Sequence, residues 1–301
     1  MRAIRLPAFA KINLCLDILG RRPDGYHELR TIFQTISLHD TLRFLPAREP
    51  AIKLVIQGNA VLAREPVERN LVYRAVAALR RDQKIRSGVH IDLKKRIPAG
   101  RGLGGGSSDA AAALTGYARF LGREIGRDIP TARLMEIAAT LGADVPFFLF
   151  GGRALGVSRG DEVYPLPDIA LQTLLVVSPR NITVPTDDAF RWMSKRLTKL
   201  RSPSKLWRFC ALCWSPQESG LSNDFEAAVF ERYPRLGAIK RTLLRRGAAE
   251  AALAGSGSAV FGIFRNPVHA RRAAQWFPKD QTFVCETLSR ERYRRAMGLR
   301  G

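Results

Sequence analysis

Between Pro98 and Asp109 the chain reads Pro-Ala-Gly-Arg-Gly-Leu-Gly-Gly-Gly-Ser-Ser-Asp, with five glycines among the seven residues from Gly100 to Gly106. Residues without a Cβ permit positive φ and let successive N–H groups turn onto one anion. The Ala-rich stretch Asp109 to Leu121 follows with high helix propensity, so the positive end of a helix dipole would face the same point. That combination describes a phosphate-binding turn. A mobile surface linker is the plainer alternative, but a linker has no need of a helix-opening Ser-Ser-Asp.

Two other phosphate loops compete for the segment. A Walker A loop requires Gly-Lys-Ser/Thr, and no Lys occurs between Pro98 and Asp109. Gly100, Gly102 and Gly105 match G-x-G-x-x-G after a predicted strand, so a dinucleotide reading is formally open. It also asks for an acidic residue about 20 positions on, ending a second strand. Asp128 has the spacing but follows a predicted helix and a short loop.

Around this loop the periodicity gives alternating elements. Ile12, Leu14, Leu16 and Ile18 share one side of a period-two pattern over Lys11 to Leu19, as a half-buried strand would, and Pro23-Asp24-Gly25 supplies a turn. Further strands are expected at 29–37, 41–46, 52–57 and 89–97. Asn70 is placed to cap a helix carrying Leu71, Val72, Ala75, Val76 and Leu79, and another helix fits 131–141. Beyond the hairpin-like 151–163 region, Pro165 and Pro167 mark a boundary. The second half is expected to hold a strand at 171–177, helices at 186–198, 223–232 and 234–246, two strands around Gly255 to Ser258, a helix at 267–276 and a strand at 282–287. With its helices grouped, that order is β-α-β-β-α-β, the ferredoxin-like pattern. Segment 199–221, rich in Ser, Pro, Trp and Cys, reads as an insertion or long loop. At 301 residues the chain has room for two domains, expected at 1–163 and 164–301.

The formal net charge of +22 favours anionic partners, whether nucleic acid, a membrane surface or a phosphorylated metabolite. No apolar run nears the roughly 18 residues of a membrane helix, and Ala8-Phe9-Ala10 lacks the apolar segment a signal peptide needs before its cleavage site. A cytoplasmic location is expected, with no membrane partner. Cys210-x-x-Cys213 is the one close cysteine pair; Cys15, Cys285 and the four histidines show no second paired spacing for a zinc site, so no metal ligand is expected.

Four segments together carry a specific resemblance. Pro98 to Ala110 resembles the ATP-phosphate loop of the GHMP kinases, and its Gly-Gly-Gly-Ser-Ser-Asp form is similar to the branch acting on the cytidine-diphosphate sugar alcohol diphosphocytidyl-methylerythritol. Ala10-Lys-Ile-Asn-Leu14 with Asp24-Gly-Tyr-His27 resembles that branch's N-terminal motif. Gly142-Ala-Asp-Val-Pro-Phe147 resembles its acidic catalytic motif, and Ala254 to Phe261 the third GHMP motif. The four occur in the family's order along nearly the whole chain.

The resemblance implies an α+β protein with the GHMP kinase two-domain fold, a ribosomal-S5-like N-terminal domain that binds ATP and a ferredoxin-like C-terminal domain. It implies transfer of the ATP γ-phosphoryl group to the 2-hydroxyl of that substrate, with Mg²⁺ held mainly by ATP. Asp144 matches the family's proton-accepting Asp and Lys11 the Lys beside it. Pro98, Ala99, Gly100, Arg101, Gly102, Leu103, Gly104, Gly105, Gly106, Ser107 and Ser108 match the ATP loop. Tyr26 and Phe190 match two aromatics that sandwich the cytosine, and Asn13 and His27 match polar substrate contacts; Phe190 rests on Thr186-x-x-x-Phe190 alone. Singly, each of these residues has a bland alternative as a cap, a solvated strand residue or core.

Two rivals remain. A nucleic-acid-binding protein would fit the charge, but no RNP1, KH or helix-turn-helix motif is visible, and no specific nucleic-acid partner is expected. A GHMP kinase acting on a sugar, mevalonate or homoserine would lack a reason for Tyr26 and His27. The basic stretch 191–208 departs from the family's pattern. A monomer or homodimer is expected.

Overall fold

Two sheets divide the chain between them in the computed structural model, which describes residues 3–126, 128–194, 203–214 and 220–299. The first half contributes β1 (Ile4–Arg21), β2 (His27–Ala47), β3 (Ile52–Gln57), α1 (Leu71–Asp82), β4 (Gly88–Lys94), α2 (Gly105–Ile125), α3 (Thr131–Leu141), α4 (Phe147–Phe150), β5 (Arg153–Val157) and β6 (Glu162–Pro165). The second contributes β7 (Thr173–Ser178), α5 (Thr186–Ser194), α6 (Pro203–Trp214), β8 (Ser222–Asn223), α7 (Phe225–Arg232), α8 (Pro234–Arg245), β9 (Glu250–Leu253), β10 (Val260–Phe264), α9 (Pro267–Ala274), β11 (Gln281–Glu286) and α10 (Arg290–Ala296).

The first sheet runs β3-β4-β2-β1-β8, with β5 and β6 added along β2. The strand ahead of the glycine turn, β4, lies antiparallel to β2 and parallel to β3, while β5, the next strand after it, joins β2 antiparallel. A Rossmann crossover would instead return a parallel strand beside β4. The dinucleotide reading therefore falls on topology. The second sheet has the order β11-β7-β10-β9, with every pair antiparallel. That is the ferredoxin-like arrangement expected of the second half.

Side-chain alternation explains how the sheets stack. Leu175 and Val177 of β7 face the outer helices α5, α7, α8 and α9, whereas Leu174 and Val176 face the other sheet. The unbroken apolar run Leu174–Val177 is thus a strand buried on both faces. Ala10, Ile12 and Leu14 of β1 meet it from the first sheet. A third core lies between the first sheet and α1–α4, closed by Tyr293 of α10 and by Met297, which caps it.

Several expectations change. Strand β1 is buried on both faces over most of its length, and the four apolar residues expected on one side divide: Ile12 and Leu14 lie between the sheets, Leu16 and Ile18 against the outer helices' core. A register shift between Asn13 and Cys15 is the cause, because one extra residue reverses the alternation. The strands expected at 29–37 and 41–46 form one strand of 21 residues. Helix α2 starts at Gly105, inside the glycine segment. Part of the supposed loop 199–221 is helical, as α6. Asn70 caps α1 as expected, its side chain accepting from Val72 N at 2.9 Å. Such a cap contributes about 1 kcal/mol.

Candidate active site

The glycine segment is pinned at both ends. Lys11 N donates to Leu103 O at 2.9 Å, tying the turn to β1, and Ala259 N donates to Arg101 O at 3.2 Å, tying it to the second half. Arg101 adds hydrogen bonds to Ser258 Oγ at 2.9 Å and to the Arg180 carbonyl at 3.0 Å. At Gly102, with φ +77°, a Cβ would lie 1.8 Å from Ala254 O, so only glycine lets the two motifs meet. Gly104 (φ +70°) is the N-cap of α2, leaving the first-turn N–H groups of Gly105, Gly106 and Ser107 toward a cavity of about 530 Å³. Pro98 to Ser107 all line that cavity. Ser108 does not: it is buried, and its hydroxyl has no hydrogen-bond partner.

On the cavity wall beside the turn, Lys11 Nζ lies 3.4 Å from Asp144 Oδ2 and donates to Asn13 Oδ1 at 2.9 Å. Asn13 Nδ2 in turn donates to Thr31 Oγ1 at 2.7 Å, and Thr31 donates to the Cys15 carbonyl. This relay fixes the ammonium, which is buried, against a carboxylate that remains partly open to the cavity. Asp144 sits in the turn between α3 and α4, where Val145 N donates to Gly142 O at 3.1 Å and Val145, Phe147 and Phe148 are buried. Buried neighbours on its C-terminal side leave Asp144 as the turn's polar tip. A carboxylate so placed can take a proton from a hydroxyl bound next to the glycine turn.

Where β4 leads into the turn, Lys95 is almost fully buried between Asp40 and Asp109, with Asp109 Oδ2 at 2.6 Å. Asp40 Oδ1 also accepts from the N–H groups of Arg96 and Ile97. Two carboxyl groups thus share one cation. Burial pushes the Asp109 carboxyl well above the usual carboxylate range, against the pull of Lys95, and its Oδ1 has no partner.

At the other end of the cavity, Phe190 stacks on His27 with ring centroids 4.6 Å apart and meets the edge of Phe225 at 4.9 Å. Burial and the charge of Arg21 hold His27 below its ordinary value, so at neutral pH its ring can accept as well as donate. Tyr26 is exposed, with the guanidinium of Arg159 5.0 Å from its ring centre. Arg159 is steered by Asp161, which accepts from its Nε at 3.0 Å. Thr186 and Ser256, 3.1 Å apart, bring α5 to the third motif. Asn223 holds that motif by donating to the Leu253 and Gly255 carbonyls.

The structure therefore gathers Lys11, Asn13, Asp144, Phe190 and the turn around one cavity, while Tyr26 and His27 stand beside it through Arg159 and Phe190. Sequence reasoning missed Arg159, Thr31, Lys95, Asp40 and Asn223. Asp109 was visible only as a helix opener. Of the basic stretch, Lys195, Arg196, Lys199 and Arg201 lie outside the described residues, Arg191 pairs with Asp188, and Lys205 with Asp224. Among the described residues no group of three or more His, Cys, Asp or Glu is placed to hold a metal ion, and no helix is long and apolar enough to cross a membrane.

Comparison with known proteins agrees with this geometry. The GHMP kinases N terminal domain matches residues 70–152, and the GHMP kinases C terminal domain matches residues 211–279. The 4-diphosphocytidyl-2-C-methyl-D-erythritol kinase of Solibacter usitatus is 46% identical over 97% of this chain and 91% of its own length. That of Geobacter sulfurreducens is 40% identical over 91% of this chain and 95% of its own. A crystal structure of 4-(cytidine 5'-diphospho)-2C-methyl-D-erythritol kinase superposes with a TM-score of 0.77 at 33% identity, covering 94% of this chain and 99% of that one. Homoserine kinase from Cytophaga hutchinsonii, at 19% identity and a TM-score of 0.68 over 96% of this chain and 95% of its own, shares the fold alone.

Proposed function

This chain belongs to the GHMP kinase family, in the branch of the 4-diphosphocytidyl-2-C-methyl-D-erythritol kinases, and on that footing we propose that it transfers the γ-phosphoryl group of ATP to the 2-hydroxyl of 4-diphosphocytidyl-2-C-methyl-D-erythritol, a step of non-mevalonate isoprenoid precursor biosynthesis. The observation that carries the reading is the Lys11–Asp144 pair set beside the helix-capping glycine turn in one cavity.

In this reading the first-turn N–H groups of α2 hold the ATP phosphates. Asp144 takes the proton of the substrate hydroxyl, whose oxygen bonds to the γ-phosphorus as the β–γ bridging P–O bond breaks and ADP leaves. Lys11 orients Asp144 and adds positive charge next to the transferring group, where phosphoryl transfer depends on positioning and charge neutralisation. The carboxylates lining the cavity are Glu65, Asp109 and Asp144, and Asp109 is engaged by Lys95. So sparse a set of ligands fits Mg²⁺ that arrives with ATP, held by phosphates and water, and that neutralises phosphate charge when bound. The site thus spans an ATP-binding half at 1–163 and a second half at 164–301.

The cytidine end falls to Tyr26, His27 and Phe190, the base taking the face of Phe190 that His27 covers and the imidazole reading its edge. Five cations line the cavity: Lys11, Arg69, Lys95, Arg101 and Arg159. Arg159, against Tyr26, is the one placed to meet the diphosphate of the cytidyl substrate. Tyr26→Ala is expected to raise the KM for that substrate by roughly tenfold, because a stacking contact is worth about 1–3 kcal/mol in ground and transition states alike. Arg159→Met should do the same. The KM for ATP should barely move in either variant, and a fall in kcat alone would assign both residues to the scaffold.

The reading as a whole is tested by ADP release with Mg²⁺ across a panel of alcohols. Fastest turnover is expected with the cytidyl substrate; faster turnover of mevalonate, galactose or homoserine would overturn it.

A further inference from the structure

Toward the C-terminal end of α2, away from the glycine turn at its start, a second cavity of about 630 Å³ opens among α2, α3, α4 and α10. It shares no lining residue with the active-site cavity. Leu134 and Leu149, both buried, and Phe150 give it an apolar wall. Arg119, Arg123 and Arg294 also line it, with Asp128 as the single acid among its lining residues. Arg119 carries the most information. Its Nη2 is shielded from solvent and has no hydrogen-bond partner, and among the described residues the side chain forms no ion pair. The guanidinium lies against the backbone of Gly298, where a Cβ would stand 3.0 Å from Nη1. Desolvation first, and then the charge of Arg123, hold it below its ordinary value. Buried N–H groups are ordinarily paired, because an unpaired one gives up its hydration with nothing in return. Arg123 has a structural reason for its place, in the last turn of α2, where a cation meets the carbonyl end of the helix dipole. Arg119, a turn earlier, has none.

Charge and shape together select the ligand. Holding Arg123 near a guanidinium already taken out of water costs repulsion, which an anion set between them would reverse. Helix α3 begins on the same wall, at Thr131, with no side chain capping its first N–H groups and no acid in its first turn, so its dipole adds to the positive field. The fork of a guanidinium matches phosphate oxygens in pairs. The apolar wall asks in addition for a hydrocarbon body, and the volume falls within the roughly 300–1,000 Å³ of small-molecule sites. A headgroup held in a bilayer surface would have to enter a recess among four helices, whereas a free ester can diffuse in. We propose that this cavity is a second anion site, separate from the phosphate turn, which takes a small soluble phosphate ester with a short apolar body, its phosphate meeting Arg119 and the neighbouring Arg123 and Arg294.

Calorimetric titration of n-pentyl phosphate into protein saturated with Mg²⁺ and a non-hydrolysable ATP analogue tests this, because the glycine turn is then already filled. Wild-type protein is expected to bind the ester at least about tenfold more tightly than inorganic phosphate, through the alkyl group. Arg119→Met should lose at least about tenfold of that affinity, the effect of removing a charge-assisted hydrogen bond. Without ester, the melting temperature of this variant should stay at or above that of the wild type, since the exchange removes a buried group that has no partner, and kcat and both KM values should be unchanged. Lys11→Met, which alters the active-site cavity, should bind the ester as wild type does. The proposal is overturned by binding that is absent or no tighter than that of inorganic phosphate, or by an undiminished affinity or a lowered melting temperature in Arg119→Met. Equal loss in Lys11→Met would put the ester in the active site and overturn it as well. So would a requirement for Arg119 in binding to phosphatidic acid vesicles, which carry the same phosphate ester on a surface.

Discussion

Replacing Asp144 by Asn is expected to lower kcat by about a hundredfold or more, with ATP affinity unchanged, because a positioned general base contributes about 10² to 10⁴. The amide keeps the size of the side chain, and the turn from Gly142 to Pro146 that holds it is anchored by backbone bonds and buried neighbours. The loss therefore reports the proton acceptor rather than the fold. Lys11→Met is expected to fall similarly, since its ammonium is the group 3.4 Å from the Asp144 carboxylate. Steady-state kinetics paired with binding of a fluorescent ATP analogue separates the two effects. A near wild-type kcat in Asp144→Asn would move the base elsewhere.

The second large effect concerns stability. Asp40→Ala is expected to cost about 3–5 kcal/mol, read as a lowered urea midpoint, because it leaves a buried ammonium short of a partner. It also strips the N–H groups of Arg96 and Ile97 of their acceptor, just where the chain enters the glycine turn. The KM for ATP should rise in whatever protein folds. Asp109→Asn is expected to cost within about 1 kcal/mol, since a carboxyl raised by burial already tends to hold its proton. The sign follows from linkage. The folded state keeps the Asp109 proton to higher pH than the unfolded chain, so this group's contribution is full below the unfolded value near 3.8 and declines as pH rises through the folded one. Asp109→Asn should accordingly flatten the fall of stability between about pH 4 and about pH 8. Equal losses in the two variants would mean that the two carboxylates do not divide their roles in this way.

What the sequence disclosed follows from how locally each feature is encoded. The glycine turn was legible because spacing alone commits its backbone, and the fold of the second half because its apolar runs are short and separated by turns. Strand β1 was misread in phase: a bulge at Asn13 and Cys15 reverses the alternation without leaving a glycine or proline to signal it. Helix α6 hid because its apolar residues point both ways, so no single stripe emerges. Helix α10 hid for the opposite reason, its buried Tyr293 being set among Arg290, Arg292, Arg294 and Arg295. In the site, Lys95 looks like any of 49 Lys and Arg residues until Asp40, 55 positions earlier, is folded against it. Arg159 likewise has no motif, and only the turn after β5 brings it to Tyr26.

Tyr293 has a consequence for the order in which the enzyme is made. Its hydroxyl donates to the Phe148 carbonyl from 145 positions further along the chain, and its ring fills the space that a side chain at Gly151 would need. Phe148 belongs to the helix that follows Asp144. Synthesis runs from the N-terminus at about 5–20 residues per second, so the first core stands unfinished for about 7 to 30 seconds after Asp144 has been made. Until α10 emerges, the glycine turn and Asp144 stand over a wall that lacks its support. Phosphoryl transfer is therefore expected only from chains in which Tyr293 can reach Phe148, and a chain truncated before Arg290 is expected to show none.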